Sequence, residues 1–260
     1  MLHKARRTAI AAVTLSALAL TACGGDSADS GTDSGLSLVS EGTLSVCSDI
    51  PFAPFEYEEN GAYIGFDIDL VREIATGMGL ELEVQKQGFE AIQSGTAVSA
   101  GMCDLNASAI TITPERAANL EFSEPYYESL QTLLVPTGSA VQNINDLAGK
   151  SVGVQQSTTG SAYAQENVKD ANIIEYPTDA EMYQAIKAGN VDALLQDIAV
   201  NVGHTTDGAF EIVEEYPTNE EYGFAAKKGN TALIGEINTQ LAELRDNGKY
   251  QEIYDTYFPE

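Results

Sequence analysis

The sequence predicts an α/β protein with two lobes, each built on a mostly parallel sheet flanked by helices. Two observations lead to this prediction. Short apolar-rich segments with the pattern of strands alternate with amphipathic helical segments, which is typical of parallel sheets. The alternation occurs twice, over residues 43–123 and again over residues 150–213, so two α/β units are expected.

The first α/β unit begins with the apolar-rich segment TLSVC at residues 43–47, which predicts a strand. Residues 66–78 then place apolar side chains on one helical face and predict a helix; these side chains are Ile68, Val71, Ile74 and Ala75. The alternating segment LELEVQ at residues 80–85 predicts a second strand, and residues 104–108 predict a third.

The second α/β unit begins with a predicted strand, SVGVQ, at residues 151–155. The hydroxyl residues that follow it, Ser157 to Thr159, are favourable helix starters, and a helix is predicted over residues 161–167. The remaining predictions are a helix at 179–188, a buried strand at 191–195, a long helix at 231–247 ended by Gly248, and a short helix at 250–257.

The N-terminal residues predict a secretory signal at 1–22, because a basic start precedes an apolar run over residues 9–20. That run is too short to span a bilayer. The tetrapeptide that ends at Cys23, Leu-Thr-Ala-Cys, resembles the bacterial lipobox, where cleavage before the cysteine is coupled to lipid attachment. The resemblance implies a lipid on Cys23 that anchors the protein to the cell membrane, outside the cytoplasm. The alternative is a generic signal with another cleavage site.

Residues 23–40 are predicted to form a flexible tether, because GGDSADSGTDSG at residues 24–35 contains only small or acidic residues. The folded part is expected to start near Leu38. The whole chain has 13 Lys and Arg against 39 Asp and Glu, a net charge of −26. Such a chain repels nucleic acid and anionic lipid, so neither is an expected partner.

Cysteine and histidine usage limits the other chemistries. With Cys23 lipidated, Cys47 and Cys103 remain, and an even pair in an oxidising compartment indicates a disulfide. The alternative is a pair of buried free thiols. One of the two histidines, His3, belongs to the signal, and no ligand residues cluster at metal-binding spacing. We therefore expect neither a metal nor a cofactor.

Polar residues follow the predicted strands, where ligands bind in open parallel sheets. After the first strand, Asp49 precedes Phe52 and Phe55 on a loop that contains two prolines. Aromatic faces can stack on planar or cationic groups. We predict a pocket position for Phe52 and a core position for Phe55.

Arg116 is a second candidate ligand residue. Thr113 and Pro114 are favourable N-cap and first-turn residues, so Arg116 is predicted in the first turn of a helix, where a cation is electrostatically unfavourable. A bound carboxylate would explain a guanidinium at this place. A surface salt bridge is the alternative.

Several segments together resemble the polar amino acid binding proteins of ABC importers, the family 3 extracellular solute-binding proteins with the type II periplasmic binding protein fold. They keep the family's order and are EYEENGAYIGFDIDL from residue 56, AITITPERAANLEFSEPYY from 109, SVGVQQSTTGSAY from 151, VDALLQDIA from 191 and YGFAAKKGN from 222. The resemblance extends from about residue 40 to residue 260.

The resemblance implies a Venus-flytrap of two lobes joined by two crossing hinge segments. The first lobe would comprise residues 41–132 and 223–260, and the second residues 133–222. A free amino acid would bind in the cleft of a monomer, and an ABC permease would receive it from the closed form. Cys47 and Cys103 are not general to the family, but they would lie on neighbouring strands of the first lobe.

The resemblance also implies ligand contacts at the zwitterionic end. Arg116 matches the arginine that binds the α-carboxylate, and Asp197 matches the acid that binds the α-ammonium. Thr111 and the backbone N–H of Ala109 match neighbouring donors. Thr158 and Thr159 match the contribution of the second lobe to the carboxylate end.

At the other end of the pocket, Asp49, Phe52 and Phe89 match residues that meet the ligand side chain, and Gln155 lies where the family varies with substrate. A carboxylate between aromatic faces favours a basic amino acid, with glutamine next. The alternatives are an enzyme of the same fold, such as a dehydratase of cyclic amino acid precursors, and a ligand sensor for a membrane receptor. We predict no catalysis, because no nucleophile–base pair is present and His204 is expected on the surface.

Overall fold

The computed structural model describes residues 36–259. The predicted signal, Cys23 and the greater part of the predicted tether lie outside the described residues. Within the described part of the chain, no helix has the length and apolar character needed to cross a membrane.

The strands follow the predicted alternation. In chain order they are β1 (Thr43–Ser48), β2 (Tyr57–Glu59), β3 (Ala62–Ile64), β4 (Glu81–Lys86), β5 (Leu105–Asn106), β6 (Leu120–Phe122), β7 (Tyr127–Pro136), β8 (Ser151–Gln155), β9 (Asn172–Tyr176), β10 (Ala193–Asp197), β11 (Phe210–Tyr222) and β12 (Ala225–Lys227).

The helices lie between and after these strands. They are α1 (Phe66–Gly77), α2 (Phe89–Gln93), α3 (Thr96–Ser99), α4 (Pro114–Ala117), α5 (Thr159–Asn167), α6 (Asp179–Lys187), α7 (Ile198–His204), α8 (Thr231–Asp246) and α9 (Lys249–Tyr257). A 3-10 turn covers Ile144–Leu147.

Within residues 36–259, the strands form two five-stranded sheets and the β2–β3 hairpin. The first sheet has the order β4-β1-β5-β12-β6; β1 is parallel to β4 and β5, while β12 is antiparallel to its neighbours. The second has the order β11-β7-β10-β8-β9; β8 is parallel to β9 and β10, and β7 is antiparallel to its neighbours. We call these sheets with their helices the first and second lobes. The predicted two-lobed α/β class is confirmed.

The chain passes between the sheets twice, from β6 to β7 and from β11 to β12. The strands β7 and β11 are long antiparallel partners, and their register shifts between Tyr216 and Glu220. The predicted lobe boundaries at residues 132 and 222 fall within β7 and at the end of β11. The division of the chain at those residues stays a prediction.

Each lobe has its own apolar core, and the helix α1 shows how the pattern produces it. The side chains of Ile68, Val71, Ile74 and Ala75 are all buried, as their helical spacing predicts. Val71, Ile74 and Ala75 belong to a cluster that also contains buried residues of α8 and α9. Phe55 is fully buried in this core, with its ring centroid 5.1 Å from that of Tyr127 and 5.3 Å from that of Tyr222.

The strand predicted at residues 191–195 lies two residues later, at Ala193–Asp197. Asp192 belongs to the preceding turn, where its carboxylate accepts a hydrogen bond from the backbone N–H of Ser151 at 2.7 Å. The strand extends to the polar residues Gln196 and Asp197 because both pair with β7. Their partners on that strand are Thr132 and Gln131. This pairing places Asp197 at the carboxyl end of β10.

Cys47 and Cys103 form a disulfide, with their Cα atoms 5.7 Å apart. Both residues are buried. The bond joins β1, which leads to Asp49, to the segment before β5.

Candidate functional site

A cavity of about 300 Å³ lies between the two lobes. Its walls come from the ends of β8 and β10, from the segments that follow β1, β5 and β8, and from the start of α2. All ten residues predicted to contact the ligand line the cavity, and Ser108 joins them: Asp49, Phe52, Phe89, Ala109, Thr111, Arg116, Gln155, Thr158, Thr159 and Asp197.

Arg116 lies in α4, whose N-cap Thr113 accepts a hydrogen bond from the Arg116 N–H. The residue is only 5% exposed, which excludes a surface salt bridge. Its guanidinium donates to the carbonyl of Thr111 at 2.9 Å and, across the cleft, to the carbonyl of Ser157 at 3.1 Å. Its Cζ lies 5.2 Å from the ring centroid of Phe89. Among the described residues, no carboxylate oxygen lies within 4 Å of its nitrogens.

Burial lowers the pKa of Arg116, and the charges of Glu220 and Asp197 oppose that shift. An arginine remains protonated in proteins even when it is buried. The cavity therefore contains a fixed cation that only neutral groups contact directly.

Asp197 faces the same cavity from the second lobe. One carboxylate oxygen accepts a hydrogen bond from the Tyr222 hydroxyl at 2.6 Å, and the other accepts one from the Gln131 amide. Burial raises the pKa of Asp197 to about 7, and the charge of Glu220 acts in the same direction. A cation bound beside Asp197 would favour its ionised form.

Asp49 also lines the cavity and is buried. Its carboxylate accepts a hydrogen bond from the Gln155 amide across the cleft at 2.7 Å. Burial raises the pKa of Asp49 to about 6, although the Gln155 bond and Lys86 oppose the shift. Phe52 and Phe89 add aromatic surface to the cavity, and the Phe89 ring lies against Arg116.

The role predicted for the Ala109 N–H is wrong. Ala109 lines the cavity with a left-handed backbone conformation, at φ 44°. Its N–H donates to the buried carboxylate of Asp67 at 2.8 Å, and the Tyr126 hydroxyl donates to the same oxygen at 2.6 Å. A buried carboxylate needs such donors, so the backbone turns this N–H away from the ligand side.

The hydroxyl of Thr158 has a local role as the N-cap of α5. It accepts a hydrogen bond from the Ser161 N–H at 3.0 Å and donates to the Gln155 carbonyl at 2.7 Å. The helix consequently begins at Thr159, two residues before the predicted start. Thr158 fixes the start of α5 at the cavity wall.

Sequence reasoning missed Glu220, Gln131 and Tyr222. Glu220 accepts hydrogen bonds from the hydroxyls of Thr111 and Thr159 and from the Gln131 amide. These residues lie on β7 and β11, the long strands at the crossings. No local pattern in the sequence identifies them, because pairing between these distant strands brings them to the site.

The prediction that His204 lies on the surface is wrong, because its side chain is only 14% exposed. Its ring stacks on Tyr183 with centroids 3.8 Å apart, and its Nε2 lies 2.9 Å from a carboxylate oxygen of Asp179. It sits at the end of α7, which packs against the sheet and carries the ring inward. Among residues 36–259, no cluster of three or more His, Cys, Asp or Glu side chains could hold a metal ion.

Comparison with known families gives a match over most of the chain. The model of the family "Bacterial extracellular solute-binding proteins, family 3" matches residues 44–260. A "Probable histidine-binding protein" of Neisseria gonorrhoeae is 31% identical, over 95% of this chain and 94% of that protein. An ABC transporter glutamine-binding protein of Bacillus subtilis is 34% identical, over 77% of this chain and 75% of that protein.

Solved structures give the same result. An ancestral arginine-binding protein bound to arginine has a TM-score of 0.79 and 35% identity, over 84% of this chain and 98% of that one. The corresponding structure bound to glutamine has a TM-score of 0.80 and 34% identity, over 85% and 100%. An ancestral amino acid-binding protein, a precursor of cyclohexadienyl dehydratase, has a TM-score of 0.78 and 33% identity, over 84% and 96%.

Proposed function

Because the chain belongs to the bacterial extracellular solute-binding proteins of family 3, we propose that it captures a free L-amino acid between its lobes and delivers it to an ABC permease. The observation that carries this proposal is the placement of Arg116 and Asp197 at one cavity, on different lobes. The relatives named for histidine, glutamine and arginine support the same class of ligand.

The physical argument rests on the charges of an amino acid zwitterion. Its α-carboxylate suits the guanidinium of Arg116, and its α-ammonium suits Asp197. A ligand with one of these charges would leave the other protein charge without an ionic partner, and stranding a buried charge costs about 3–5 kcal/mol. A zwitterion satisfies both lobes at once and so favours the closed form.

For the ligand side chain we propose a basic group, with the amide of glutamine as the second choice. Asp49 supplies a carboxylate at that end, and Gln155 supplies an amide bonded to it. A guanidinium or ammonium could bind the carboxylate while its stem packs on Phe52 and Phe89.

An enzyme that dehydrates cyclic amino acid precursors is the alternative that a specific observation favours. Such chemistry needs a general acid, and Asp49 and Asp197 have raised pKa values within the cavity. The relation to a dehydratase precursor points the same way, although that precursor is itself described as amino acid-binding. We propose binding without catalysis. Incubation with prephenate-like cyclic acids should leave them unchanged; formation of an aromatic product would support the enzyme.

A ligand sensor for a membrane receptor would use the same cleft. A permease and an ATPase that co-purify with the protein would support the importer, whereas co-purification of a receptor alone would support the sensor. We further propose that Cys23 carries the lipid anchor and that the protein is a monomer. Cys23→Ala should release the protein from membranes, and light scattering should give the mass of one chain.

The direct test of the proposed function is a thermal shift screen of the twenty amino acids. A ligand at 100 times its Kd stabilises the native state by about 2.7 kcal/mol, which raises the Tm of a protein this size by roughly 5–10 °C. A basic amino acid or glutamine should give the largest rise.

The matched variants for this screen are Arg116→Ala and, as the control, the exposed Arg72→Ala on α1. Arg116→Ala should remove the rise in Tm, while Arg72→Ala should keep it. The proposal fails if no amino acid raises the Tm of the wild-type protein. The assignment of Arg116 fails if its alanine variant still responds.

A further inference from the structure

Two threonines from opposite sides of the cleft converge on one carboxylate. Thr111 follows β5 in the first lobe, and Thr159 begins α5 in the second. Their hydroxyl oxygens are 3.4 Å apart. Both lie at hydrogen-bond distance from the same oxygen of Glu220, Oε2, at 2.9 Å and 2.8 Å respectively.

The direction of these hydrogen bonds follows from the chemistry of the groups. An ionised carboxylate only accepts hydrogen bonds, and a hydroxyl has a single hydrogen to donate. The other oxygen of Glu220, Oε1, accepts from the Gln131 amide at 3.0 Å, so three donors surround this buried carboxylate. Bonds to a charged acceptor are stronger than bonds between hydroxyls. Thr111 and Thr159 therefore both direct their hydrogens to Glu220 and leave lone pairs for the cavity.

Glu220 itself is not among the residues that line the ligand cavity. It lines a separate groove with Glu128 and Pro217. Of the side chains that donate to it, Thr111 and Thr159 line the cavity, so their hydroxyls are its hydrogen-bonded route to a ligand; its charge also acts on Asp197 and Arg116.

We propose that Glu220 is a positioning residue that turns the hydroxyls of Thr111 and Thr159 into hydrogen-bond acceptors and so assigns both, with Asp197, to the ligand α-ammonium. This inference rests on the proposed function and deepens it. It reverses the role that the sequence implied, in which both threonines serve the carboxylate. An ammonium has three hydrogens, and these three side chains provide three acceptors.

Glu220 has a second consequence that requires no ligand. It lies on β11 and joins a threonine of each lobe, so its hydrogen bonds favour the closed cleft. Loss of the carboxylate should therefore shift the free protein toward the open form.

The test uses Glu220→Gln with the exposed neighbour Glu221→Gln as a matched control. In either orientation of its amide, glutamine sets an NH₂ group against a donor, either the hydroxyls or the Gln131 amide. Calorimetry on the full chain should show that Glu220→Gln raises the Kd for the amino acid found by the screen about ten-fold. Glu221→Gln should leave the Kd unchanged.

The route through the hydroxyls is tested in a Thr111→Val/Thr159→Val background. There Glu220→Gln should change the Kd only about two- to three-fold, because the hydroxyls through which Glu220 acts are gone and only the effect of its charge on Asp197 and Arg116 remains. An equal ten-fold effect in both backgrounds would overturn the proposal, since Glu220 would then act by another path.

The direction of the hydroxyls is tested with an Nα-methylated ligand, which lacks one ammonium hydrogen. In the wild-type protein methylation should raise the Kd about ten-fold; in Glu220→Gln the ratio should fall to about two-fold, because the hydroxyls can turn. The same ratio in both proteins would contradict the assignment of the threonines to the ammonium.

Small-angle X-ray scattering on the free protein separates this inference from the proposed function. Glu220→Gln should have a larger radius of gyration than the wild-type protein and the Glu221→Gln control. If the wild-type protein binds no amino acid, the proposed function fails, yet the scattering comparison still tests Glu220. An unchanged radius of gyration would overturn the role of Glu220 in holding the cleft closed.

Discussion

Arg116 and Asp197 are charged residues that form direct hydrogen bonds only with neutral groups. Carbonyls accept from Arg116, and an amide and a phenol donate to Asp197. Neutral partners satisfy the hydrogen bonding of an ion without cancelling its charge. At the residue scale, this leaves a desolvated positive and a desolvated negative group for a ligand to pair with.

The raised pKa of Asp197 makes the affinity depend on pH. Its pKa is about 7 in the free protein, and a bound ammonium would lower it, so binding below pH 7 must release a proton. The Kd should therefore fall by up to about ten-fold per unit as the pH rises from 6 to 7 and should level off above about pH 8; below pH 6, Asp49, whose pKa burial raises to about 6, steepens the dependence for a basic ligand. Calorimetry at pH 5, 6, 7 and 8 measures this dependence. A constant Kd over that range would show that Asp197 stays ionised in the free protein.

Asp49 is predicted to decide the preference for a basic side chain. Asp49→Asn keeps the shape of the residue but removes the charge that a guanidinium or ammonium would pair with. The Kd for arginine or lysine should rise at least about ten-fold, while the Kd for glutamine should change less than about three-fold. Competition with a labelled ligand measures both values.

The control for Asp49→Asn is Asp255→Asn, an exposed acid on α9 outside the cavity. It should alter neither affinity. Equal losses for arginine and glutamine in Asp49→Asn would place the ligand side chain away from Asp49.

At the scale of elements, the carboxyl ends of four strands bring the site together. β1 leads to Asp49, β5 to Thr111, β8 to Thr159, and β10 ends on Asp197. The sequence predicted this convergence because the strands and the polar residues after them can both be recognised from local pattern. The family resemblance then supplied the roles that pattern alone does not give.

The parts that sequence reasoning missed are those fixed by long-range pairing. β10 extends two residues beyond its apolar run because β7 pairs with Gln196 and Asp197. Glu220 is placed at the site by β11, whose local acidic sequence predicts an exposed strand. No local periodicity reports which of several glutamates a distant pair of threonines will contact.

At Gly160 the helix α5 passes close to the side chain of Gln131, which contacts the site. A Cβ at Gly160 would lie 2.7 Å from Oε1 of Gln131, whose amide also donates to Asp197 and Glu220. Gly160→Ala should therefore raise the Kd for the amino acid about ten-fold by displacing Gln131 or α5. Gly235→Ala in α8 meets no atom within 4 Å and should leave the Kd unchanged while stabilising the helix by up to about 1 kcal/mol. Similar Kd values for both variants would contradict this coupling.

The disulfide is the other element-scale feature with a measurable consequence. It joins residues 56 positions apart, and closing a loop of that length in the unfolded chain is worth about 4 kcal/mol. Cys47→Ala/Cys103→Ala should lower the free energy of unfolding by about 2–5 kcal/mol in urea titrations. A loss below about 1 kcal/mol would show that the bond contributes little to stability.

At the scale of the whole molecule, the lobes already touch across the cleft through their own polar groups. Gln155 donates to Asp49, Arg116 donates to the Ser157 carbonyl, and Glu220 joins Thr111 to Thr159. These contacts lower the free energy of the closed form relative to the open form. A ligand therefore needs a smaller difference in affinity between the two forms to shift the protein to the closed one. The permease would then recognise the closed arrangement.

The central claim is that one zwitterion joins Arg116 of one lobe to Asp197 of the other. Isothermal titration with the identified amino acid, its α-amide and its Nα-acetyl derivative tests this directly, because each derivative lacks one of the two charges. Each should raise the Kd by at least about 100-fold, as expected from about 3–5 kcal/mol for a stranded charge. A derivative that binds as tightly as the parent amino acid would contradict the claim.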